Sequence, residues 1–536
     1  MLHLNMQGLQ DRAAWAQAGI RLPRYDVAAV RARTWEAPVW LHFGAGNIFR
    51  GFLAAAQQTL LNTGRADTGI LAAESFDFQI IDQVYSPYDA LSMRADGSEE
   101  REVIASVAGG LKADCAGPDW ARLTRVFCSP TLQMASFTIT EKGYALTDLE
   151  KKPLPVVERD LAAGPEGPRH TMSITAALLY RRFQAGGAPI AMVSMDNCAR
   201  NGEKLRAGVL SMARDWAERG LVESAFLDWL EDEGRVSFPW SMIDKITPHP
   251  SERVQEELGR LGVADMAIAR TNTGTLIAPF VNAEITEYLV LEDAFPNGRP
   301  ALEGAGVYLT DRTTVEKAEK MKVGTCLNPL HTALAVYGCL LGYTSIAAEM
   351  GDADLKALVE HIAAESLPVV EDPGILSPRA FIDEVLHERF PNPAIPDTPQ
   401  RIAADTSQKL PVRYGGTLRR YARQSEQALA GLEFAPLVFA GWCRYLLGVD
   451  DRGNAMPVSP DPMLPQLQAH LKGIEVGRPD SLAGQLRPIL SNAALFGVDL
   501  YAAGLGERTE EMFRDMLAGP GAVRATLHRN CACKQP

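Results

Sequence analysis

The sequence lacks the marks of several large classes of protein. Its eight cysteines form no CxxC pair and no Cys/His cluster with zinc spacing, so no structural zinc site is expected. A formal net charge of -13 disfavours nucleic acid or an anionic membrane surface as partner. The first residues show no basic segment followed by an apolar one, and the longest apolar run, 333–341, is too short to span a bilayer. We therefore expect a cytoplasmic protein that binds a small molecule without a metal ion; its oligomeric state stays open.

The cysteines closest to one another lie in the polar segment RNCACKQP at the end of the chain. Cys531 and Cys533 could form a redox pair there, but we favour a frayed terminus as the interpretation of this segment.

The length of 536 residues exceeds that of one ordinary core and favours two large domains. After a polar extension to about residue 36, strand and helix patterns alternate, which is typical of a parallel α/β sheet. The predicted strands are 39–43, 69–73, 103–107, 135–140 and 189–195, and helices such as 173–183 and 204–218 lie between them. Helical patterns dominate later, at 313–322, 329–341, 355–364 and 378–388. We predict an α/β domain over 1–300 and a mostly α-helical domain over 301–536.

A glycine turn follows the first predicted strand in PVWLHFGAGNIFRGFLAAAQQTLL. Gly44 and Gly46 stand where a Rossmann-type fold turns tightly off its first strand and brings backbone close to a pyrophosphate. The third glycine of the GxGxxG pattern is replaced by Phe49, so the turn alone could be an ordinary strand-to-helix connection. We assign Asn47 to the same cofactor-binding turn, and Arg50 lies in the first helical turn, where it could reach a phosphate.

Two acidic residues follow the second predicted strand in the segment ESFD. A carboxylate at this distance from the glycine turn binds the adenosine ribose hydroxyls in dinucleotide-binding folds. It also repels the additional phosphate of NADP, so NAD is the expected cofactor. The sequence does not decide between Glu74 and Asp77.

The segment MKVGTCLNPLH, 321–331, places polar side chains at the junction of two predicted helices. The first helix should begin with a capping box of Thr313 and Glu316 and end near Gly324. Asn328 should cap the second helix, since Pro329 then occupies the first helical position, where its missing N–H is not needed.

Four residues of this junction could form a catalytic site. At about 100° per residue, Glu319 and Lys322 lie on the apolar face of the first helix. The junction can also bring Lys322 close to Asn328 and His331. A partly buried lysine loses its charge readily and can act as a general acid or base, while an amide and an imidazole can bind a carbonyl oxygen as it becomes an alkoxide. Each residue alone has an ordinary structural interpretation, as a cap, an end residue or a core histidine.

The chain also resembles the polyol-specific long-chain dehydrogenases, the mannitol dehydrogenase family. The resemblance runs through most of the chain, in the segments HFGAGNIFRG, SFTITEKGYA, SMDNCARNG, PWSMIDKITP, EKMKVGTCLNPLH and DTSQKLPVR. It implies a Rossmann-type domain followed by a helical domain, with catalysis in the cleft between them and no metal ion. It implies NAD-dependent oxidation and reduction of a small polyol or sugar acid.

The resemblance also implies roles for individual residues. Lys322 would be the general acid/base, Asn197 and Asn328 the oxyanion hole, His331 a substrate-orienting residue and Glu319 a proton path. Asn197 follows the predicted strand 189–195, at the edge where a Rossmann-type sheet places its ligands. The resemblance implies that Arg401 and Lys409 meet the substrate, and it places Asp244 in the matching segment IDKITP. Arg413, a third cation of the segment RIAADTSQKLPVR, is a further candidate for substrate binding.

Within the family, CLNPLHTALAVYGCLLGY is closer to the branch that reduces fructuronate than to the mannitol branch. A hexuronate carries a carboxylate, and Arg401, Lys409 and Arg413 supply cations for it. Lys322 stands six positions before Asn328, one more than in mannitol dehydrogenases, so Lys320 is the alternative base. We therefore expect interconversion of D-fructuronate and D-mannonate, with mannitol 2-dehydrogenase, another polyol dehydrogenase or tagaturonate reductase as alternative enzymes. A catalytically silent dinucleotide-binding sensor is the alternative outside enzymes.

Overall fold

The computed structural model describes residues 1–96, 100–148 and 150–531, so Cys533 lies outside the described residues. The chain divides into two compact units, Met1–Glu316 and Lys317–Pro536. In the described ranges, no helix combines the length and the apolar composition needed to cross a lipid bilayer.

Among the described residues, the strands that belong to sheets all lie in the first unit. They are β1 (Ile20–Arg21), β2 (Trp40–Phe43), β3 (Ile70–Glu74), β4 (Ser92–Asp96), β5 (Glu100–Ile104), β6 (Val107–Lys112), β7 (Met134–Phe137), β8 (Ile190–Ser194), β9 (Val236–Ser237), β10 (Ser241–Asp244), β11 (Ala269–Arg270), β12 (Leu276–Ile277), β13 (Phe280–Ala283), β14 (Tyr288–Glu292) and β15 (Tyr308–Thr310).

The central sheet has six strands in the order β6-β3-β2-β7-β8-β9, and every neighbouring pair is parallel. Numbered along the chain within this sheet, the order is that of a Rossmann fold, and it reverses between β2 and β7. Side chains alternate between two separate cores. Leu41 and Phe43 pack on one face, whereas Trp40 packs on the other. Burial on both faces explains why these strands are continuous apolar runs.

Smaller sheets extend this unit. Their orders are β1-β5-β4-β13, β10-β14-β15 and β11-β12. The predicted strand 103–107 is in fact two strands, because the chain leaves one sheet after Ile104 and enters the central sheet at Val107. Ser106 fixes the crossing, since its hydroxyl donates to the Ala54 carbonyl over 2.6 Å. The unit continues past the predicted boundary at residue 300, because β15 pairs with β14.

Helices cover the sheets of the first unit. The α-helices are α1 (Arg12–Gln17), α2 (Val27–Glu36), α3 (Ala54–Asn62), α4 (Trp120–Cys128), α5 (Pro155–Ala163), α6 (Thr171–Gln184), α7 (Asn201–Glu218), α8 (Ser224–Glu231) and α9 (Glu252–Arg260). The boundary between the two units falls within α10 (Arg312–Met321). Turns of π-helix are Phe49–Leu53 and Ile81–Tyr85, and 3₁₀ turns are Gly8–Gln10, Glu141–Tyr144, Gly164–Glu166 and Leu302–Ala305.

The second unit is helical through its described part. Its α-helices are α11 (Asn328–Leu341), α12 (Ile346–Glu349), α13 (Ala353–Ser366), α14 (Pro378–Glu384), α15 (Pro399–Ile402), α16 (Thr406–Arg413), α17 (Gly415–Gln424), α18 (Glu426–Ala430), α19 (Phe434–Tyr445), α20 (Leu464–His470), α21 (Arg487–Leu490), α22 (Ala493–Phe496), α23 (Gly506–Met516) and α24 (Ala522–Cys531). The π turns are Lys322–Cys326 and Val385–Arg389, and the 3₁₀ turns are Leu367–Val369 and Pro479–Ser481.

Helices α11 and α19 form the centre of the second unit. Tyr337 is fully buried and donates its hydroxyl hydrogen to the Leu437 carbonyl over 2.8 Å. Gly441 permits this approach, since a Cβ there would lie 2.7 Å from the Tyr337 ring. The predicted fold class, a Rossmann-type α/β domain followed by a mostly helical domain, is thus confirmed.

Candidate active site

The glycine turn lies at the point where the strand order of the central sheet reverses. Gly44 has a φ of +106°, and a Cβ on it would come within 2.2 Å of the Thr138 carbonyl oxygen. A Cβ on Gly46 would meet no atom within 4 Å, so this glycine borders open space. The helix that follows begins at Asn47, with the Arg50 amide donating to the Gly46 carbonyl over 3.2 Å. Open space beside a helix N-terminus at the switch point suits a pyrophosphate.

Glu74 holds this turn in place from the end of β3. Its Oε2 accepts a hydrogen bond from the Ala45 amide over 2.9 Å. Its Oε1 accepts the amides of Ser75, Phe76 and Asp77 over 3.0, 2.9 and 3.3 Å. Burial raises the pKa of Glu74, and these four hydrogen bonds oppose the rise. The carboxylate therefore shapes the loop in which a ribose would bind.

Asp77 is the more accessible of the two predicted ribose ligands. It is half-buried, and its Oδ2 accepts a hydrogen bond from the Thr273 hydroxyl. Its Oδ1 accepts one from the Gln79 amide over 3.3 Å. Since Glu74 already accepts four amides, Asp77 has more acceptor capacity left for a ribose hydroxyl.

Arg50 is bonded to the protein rather than directed to open space. Its guanidinium is 1% exposed and donates to the Ala278 carbonyl and to Asn47 Oδ1, each over 2.8 Å. Asn47 in turn donates to the Pro248 carbonyl over 3.2 Å. Burial lowers the pKa of Arg50. Both residues brace the start of the helix, and a phosphate contact by Arg50 would require it to leave these partners.

A carboxylate fixes the loop that carries Asn197 after β8. Asp196 accepts hydrogen bonds from the amides of Ile139 and Thr140, each over 2.9 Å, and from the Tyr144 hydroxyl. Thr140 has a φ of +61°, in a region that favours glycine, so these bonds hold a strained backbone. Sequence reasoning named Asn197 and missed the role of Asp196, although an acidic residue directly after a buried strand was a signal.

Asp244 is the last residue of β10 and is buried. The Asn201 amide donates to the carbonyls of Asp196 and Ser241, over 2.9 and 3.0 Å. The ends of β8 and the start of β10 are therefore linked within the first unit, close to the loop of Asn197.

Lys322 begins a π turn that separates α10 from α11. The turn covers Lys322–Cys326, and the Leu327 amide donates to the Lys322 carbonyl over 3.1 Å. Such a turn accommodates one more residue than an α-helical turn and often occurs at functional sites. Lys322 is 1% exposed, whereas Lys320 has a side chain 44% exposed and lies 3.7 Å from Glu371.

Three predicted details of this junction are wrong. Asp311 caps α10, because its carboxylate accepts the Thr314 amide over 3.0 Å, and Thr313 is the second residue of this helix rather than its cap. Gly324 lies inside the π turn instead of ending the helix. Asn328 is the first residue of α11 rather than its N-cap. Its side-chain amide is half-buried and has no hydrogen-bond partner among the described residues.

His331 faces an acidic residue that sequence reasoning missed, Asp397. The Nε2 atom of His331 lies 3.1 Å from Asp397 Oδ2, without the alignment of a hydrogen bond. Burial lowers the pKa of His331, and the Asp397 carboxylate opposes this shift. Burial alone would raise the pKa of Asp397, but His331 and Arg401 outweigh it and the pKa is lowered. Arg401 donates to Asp397 Oδ1 from Nε over 2.9 Å.

The predicted substrate cations lie together around His331. The charges of Arg401 and Arg413 both lower the pKa of His331 and of Lys409. Lys409 donates to the carbonyls of Ile402 and Ala404, which leaves one N–H of its ammonium. Burial, with the charges of its neighbours, lowers the pKa of Lys409 to about 8.

Arg413 points to the same helix as His331. Its Nη1 donates to the Thr332 hydroxyl over 2.5 Å, and burial lowers its pKa to about 10. Arg401 and Arg413 lie close enough to Lys409 for their charges to lower its pKa, and positive charges so placed favour an anion near them. The cluster therefore has the charge that a carboxylate ligand needs. Among the described residues, no three His, Cys, Asp or Glu side chains could together hold a metal ion.

Comparison with known proteins gives consistent matches over both units. Residues 39–304 match the family description "Mannitol dehydrogenase Rossmann domain", and residues 314–507 match "Mannitol dehydrogenase C-terminal domain". The D-mannonate oxidoreductase of Thermotoga maritima is 53% identical over 98% of each chain. A mannitol 2-dehydrogenase of Aspergillus fumigatus is 31% identical over 93% of each chain. The solved structure of Pseudomonas fluorescens mannitol 2-dehydrogenase, a ternary complex with NAD and D-mannitol, superposes with a TM-score of 0.70 at 28% identity over 100% of each chain.

Proposed function

Because the chain belongs to the mannitol dehydrogenase family, we propose that it is an NAD-dependent oxidoreductase that interconverts D-fructuronate and D-mannonate. The observation that carries the proposal is the 53% identity, over nearly the full length, to a D-mannonate oxidoreductase. The cations around His331 support it, because they suit a substrate with a carboxylate.

The residues of the first unit fit a dinucleotide. Gly46 borders open space at a helix N-terminus, and the carboxylates of Glu74 and Asp77 follow the second strand of the Rossmann sheet. Negative charge at this position disfavours the 2′-phosphate of NADP. When bound, the reduced cofactor supplies the hydride that adds to the C5 ketone carbon of fructuronate.

The residues of the chain would transfer the proton and stabilise the negative charge that develops on the substrate oxygen. Lys322 gives a proton to the C5 oxygen in the direction of reduction and takes it back in oxidation. The amides of Asn197 and Asn328 donate hydrogen bonds to that oxygen as its charge grows. Glu319, one helical turn before Lys322, serves as the path by which the lysine regains its proton.

The remaining predicted residues would bind the rest of the substrate. Arg401, Lys409 and Arg413 meet the carboxylate, which would otherwise be desolvated without compensation. His331 is neutral at neutral pH because burial lowers its pKa, so it can accept a hydrogen bond from a substrate hydroxyl. Asp244 accepts a second hydroxyl.

An assay of NADH oxidation with four candidate substrates tests the proposal. Fructuronate, tagaturonate, fructose and xylulose are compared at equal concentration, with D-mannonate and NAD for the reverse reaction. We expect efficient turnover with fructuronate and mannonate. Preference for fructose would favour a mannitol 2-dehydrogenase, and preference for tagaturonate would favour the other hexuronate reductase.

A further inference from the structure

Glu349, at the end of the short helix α12, carries a buried carboxyl that the mechanism does not use. The residue is 0% exposed, and neither carboxyl oxygen has a hydrogen-bond partner among the described residues. An ionised carboxylate in such a place is strongly destabilised. Burial, with the charges of Asp352 and Asp397, raises the pKa of Glu349 to about 9.

The carboxyl occupies space on the helix that carries His331. Gly338 lies seven residues after His331, two helical turns along the same face of α11. A Cβ on Gly338 would lie 2.0 Å from Glu349 Oε1 and 3.0 Å from Pro399 of α15. The Ile346 amide at the start of α12 also donates to the Asp397 carbonyl over 3.0 Å. Glu349 is therefore packed between α11 and the segment that carries Asp397 and Arg401.

The charged and titratable groups around Glu349 come from each neighbouring element. Asp352 after α12, Asp397 before α15 and Cys339 on α11 interact with Glu349 directly, and the partners of the two aspartates are His331 on α11, Arg401 on α15 and Arg524 on α24. Asp352 is already paired, since it accepts hydrogen bonds from Arg524 and from the Tyr343 hydroxyl. Asp397 is paired with Arg401 and faces His331. A third negative charge here would have no cation of its own.

We propose that Glu349 is a positioning residue for the anionic end of the substrate. As a neutral acid it leaves Asp397 as the carboxylate that faces His331 and pairs with Arg401. When Glu349 loses its proton to solvent, the added negative charge repels Asp397 and weakens binding of an anionic ligand to the cations nearby. The role rests on the proposed function, because it takes the ligand to be a sugar acid.

The first experiment follows thermal stability between pH 6 and pH 9. The pKa of Glu349 is raised in the folded state, so its contribution is full below the unfolded value and is lost as the pH rises towards about 9. Each pH unit in this window lowers the folding equilibrium constant by up to about tenfold through this group alone. We expect Tm to fall less with pH in Glu349→Gln than in the wild type. The exposed Glu511→Gln serves as control and should follow the wild type.

Glu349→Met provides the same comparison should the amide of glutamine not be accommodated, because methionine has similar length and never ionises. A parallel pH dependence of Tm in the wild type and both variants would overturn the proposal, since Glu349 would then not be a neutral acid.

The second experiment measures the affinity for D-mannonate by calorimetric titration in the presence of NAD from pH 7 to pH 10. The affinity of the wild type should fall more steeply with pH than that of Glu349→Gln. The ratio of the two Kd values should be at least about threefold larger at pH 10 than at pH 7, as expected for one charge at close range. Parallel profiles with intact binding would refute the positioning role and leave the proposed function standing. Failure of the wild type to bind mannonate at any pH would refute the proposed function, and the positioning role with it, while the stability comparison would still report the protonation of Glu349.

Discussion

Glu74 in the first unit and Glu349 in the second are both buried glutamates, with 8% and 0% of their surface exposed. Glu74 accepts four backbone amides, whereas Glu349 has no hydrogen-bond partner among the described residues. The carboxylate of Glu74 shapes a loop. The carboxyl of Glu349 lies near two aspartates, Asp352 and Asp397, that already have partners of their own. The candidate site residues of the first unit are thus fixed by hydrogen bonds to backbone amides. Those of the second unit include ionisable side chains whose pKa burial shifts away from the ordinary value.

This difference separates two kinds of functional residue. Residues that position a cofactor gain from being rigid, so their polar groups are fully bonded in advance. Residues that transfer protons or bind a charged substrate need incomplete pairing, because the substrate supplies the missing partner. The open amide of Asn328 and the Nε2 of His331 belong to the second kind.

Replacement of the buried lysine should have the largest effect. Lys322→Ala removes the proton donor, so turnover with fructuronate should fall by at least about a hundredfold, the usual scale of acid/base catalysis. The Kd for NADH, measured by fluorescence, should stay within about twofold, well under the tenfold that 1.4 kcal/mol represents. Lys320→Ala is the matched control and should retain turnover, since Lys320 is exposed and paired with Glu371. The opposite result, with Lys320→Ala inactive, would move the role to Lys320.

Substitution of the two glycines tests the rigid turn. Gly44→Ala forces a Cβ to within 2.2 Å of the Thr138 oxygen at a φ of +106°, which should cost at least about 2 kcal/mol in the free energy of unfolding. Gly46→Ala meets no atom, so urea unfolding should match the wild type while the Kd for NADH rises. Unchanged NADH affinity in folded Gly46→Ala would show that the pyrophosphate binds elsewhere.

The sequence alone predicts the glycine turn of the first unit and the buried lysine of the second. It does not predict the buried acidic residues of the second unit, for a physical reason. The apolar runs and the positions of the glycines identify the central sheet and its turn, because strands and turns depend on residues that are neighbours in the sequence. The buried state of Lys322 also follows from helix periodicity, since the π turn begins only at that residue. Asp397 and Glu349 could not be found in this way, because their importance depends on contacts with a helix remote in sequence. A charged residue in the apolar segment SIAAEM was the available signal for Glu349.

Cofactor preference tests the carboxylates after β3. Catalytic efficiency with NADH should exceed that with NADPH by at least about tenfold, or roughly 1.4 kcal/mol, because carboxylates repel the 2′-phosphate. Asp77→Asn should reduce this preference while leaving the fold intact. Glu74→Gln should instead lower Tm, because it weakens the bonds that hold the Ala45 amide. Equal use of both cofactors by the wild type would contradict the ribose assignment.

The smallest effect concerns the charge of Lys409. With a pKa of about 8, this lysine is largely neutral at pH 9, and a carboxylate ligand then loses one of its cations. Lys409→Arg keeps its charge, so its affinity for D-mannonate should fall less between pH 7 and pH 9 than that of the wild type, by about threefold, the scale of one partly exposed ion pair. Calorimetric titration measures both proteins. Since Glu349 ionises in the same range, the comparison is repeated in the Glu349→Gln background, where the difference due to Lys409 should persist. If the two profiles coincide in both backgrounds, the ammonium of Lys409 does not bind the substrate carboxylate, and Arg401 and Arg413 must bind it alone.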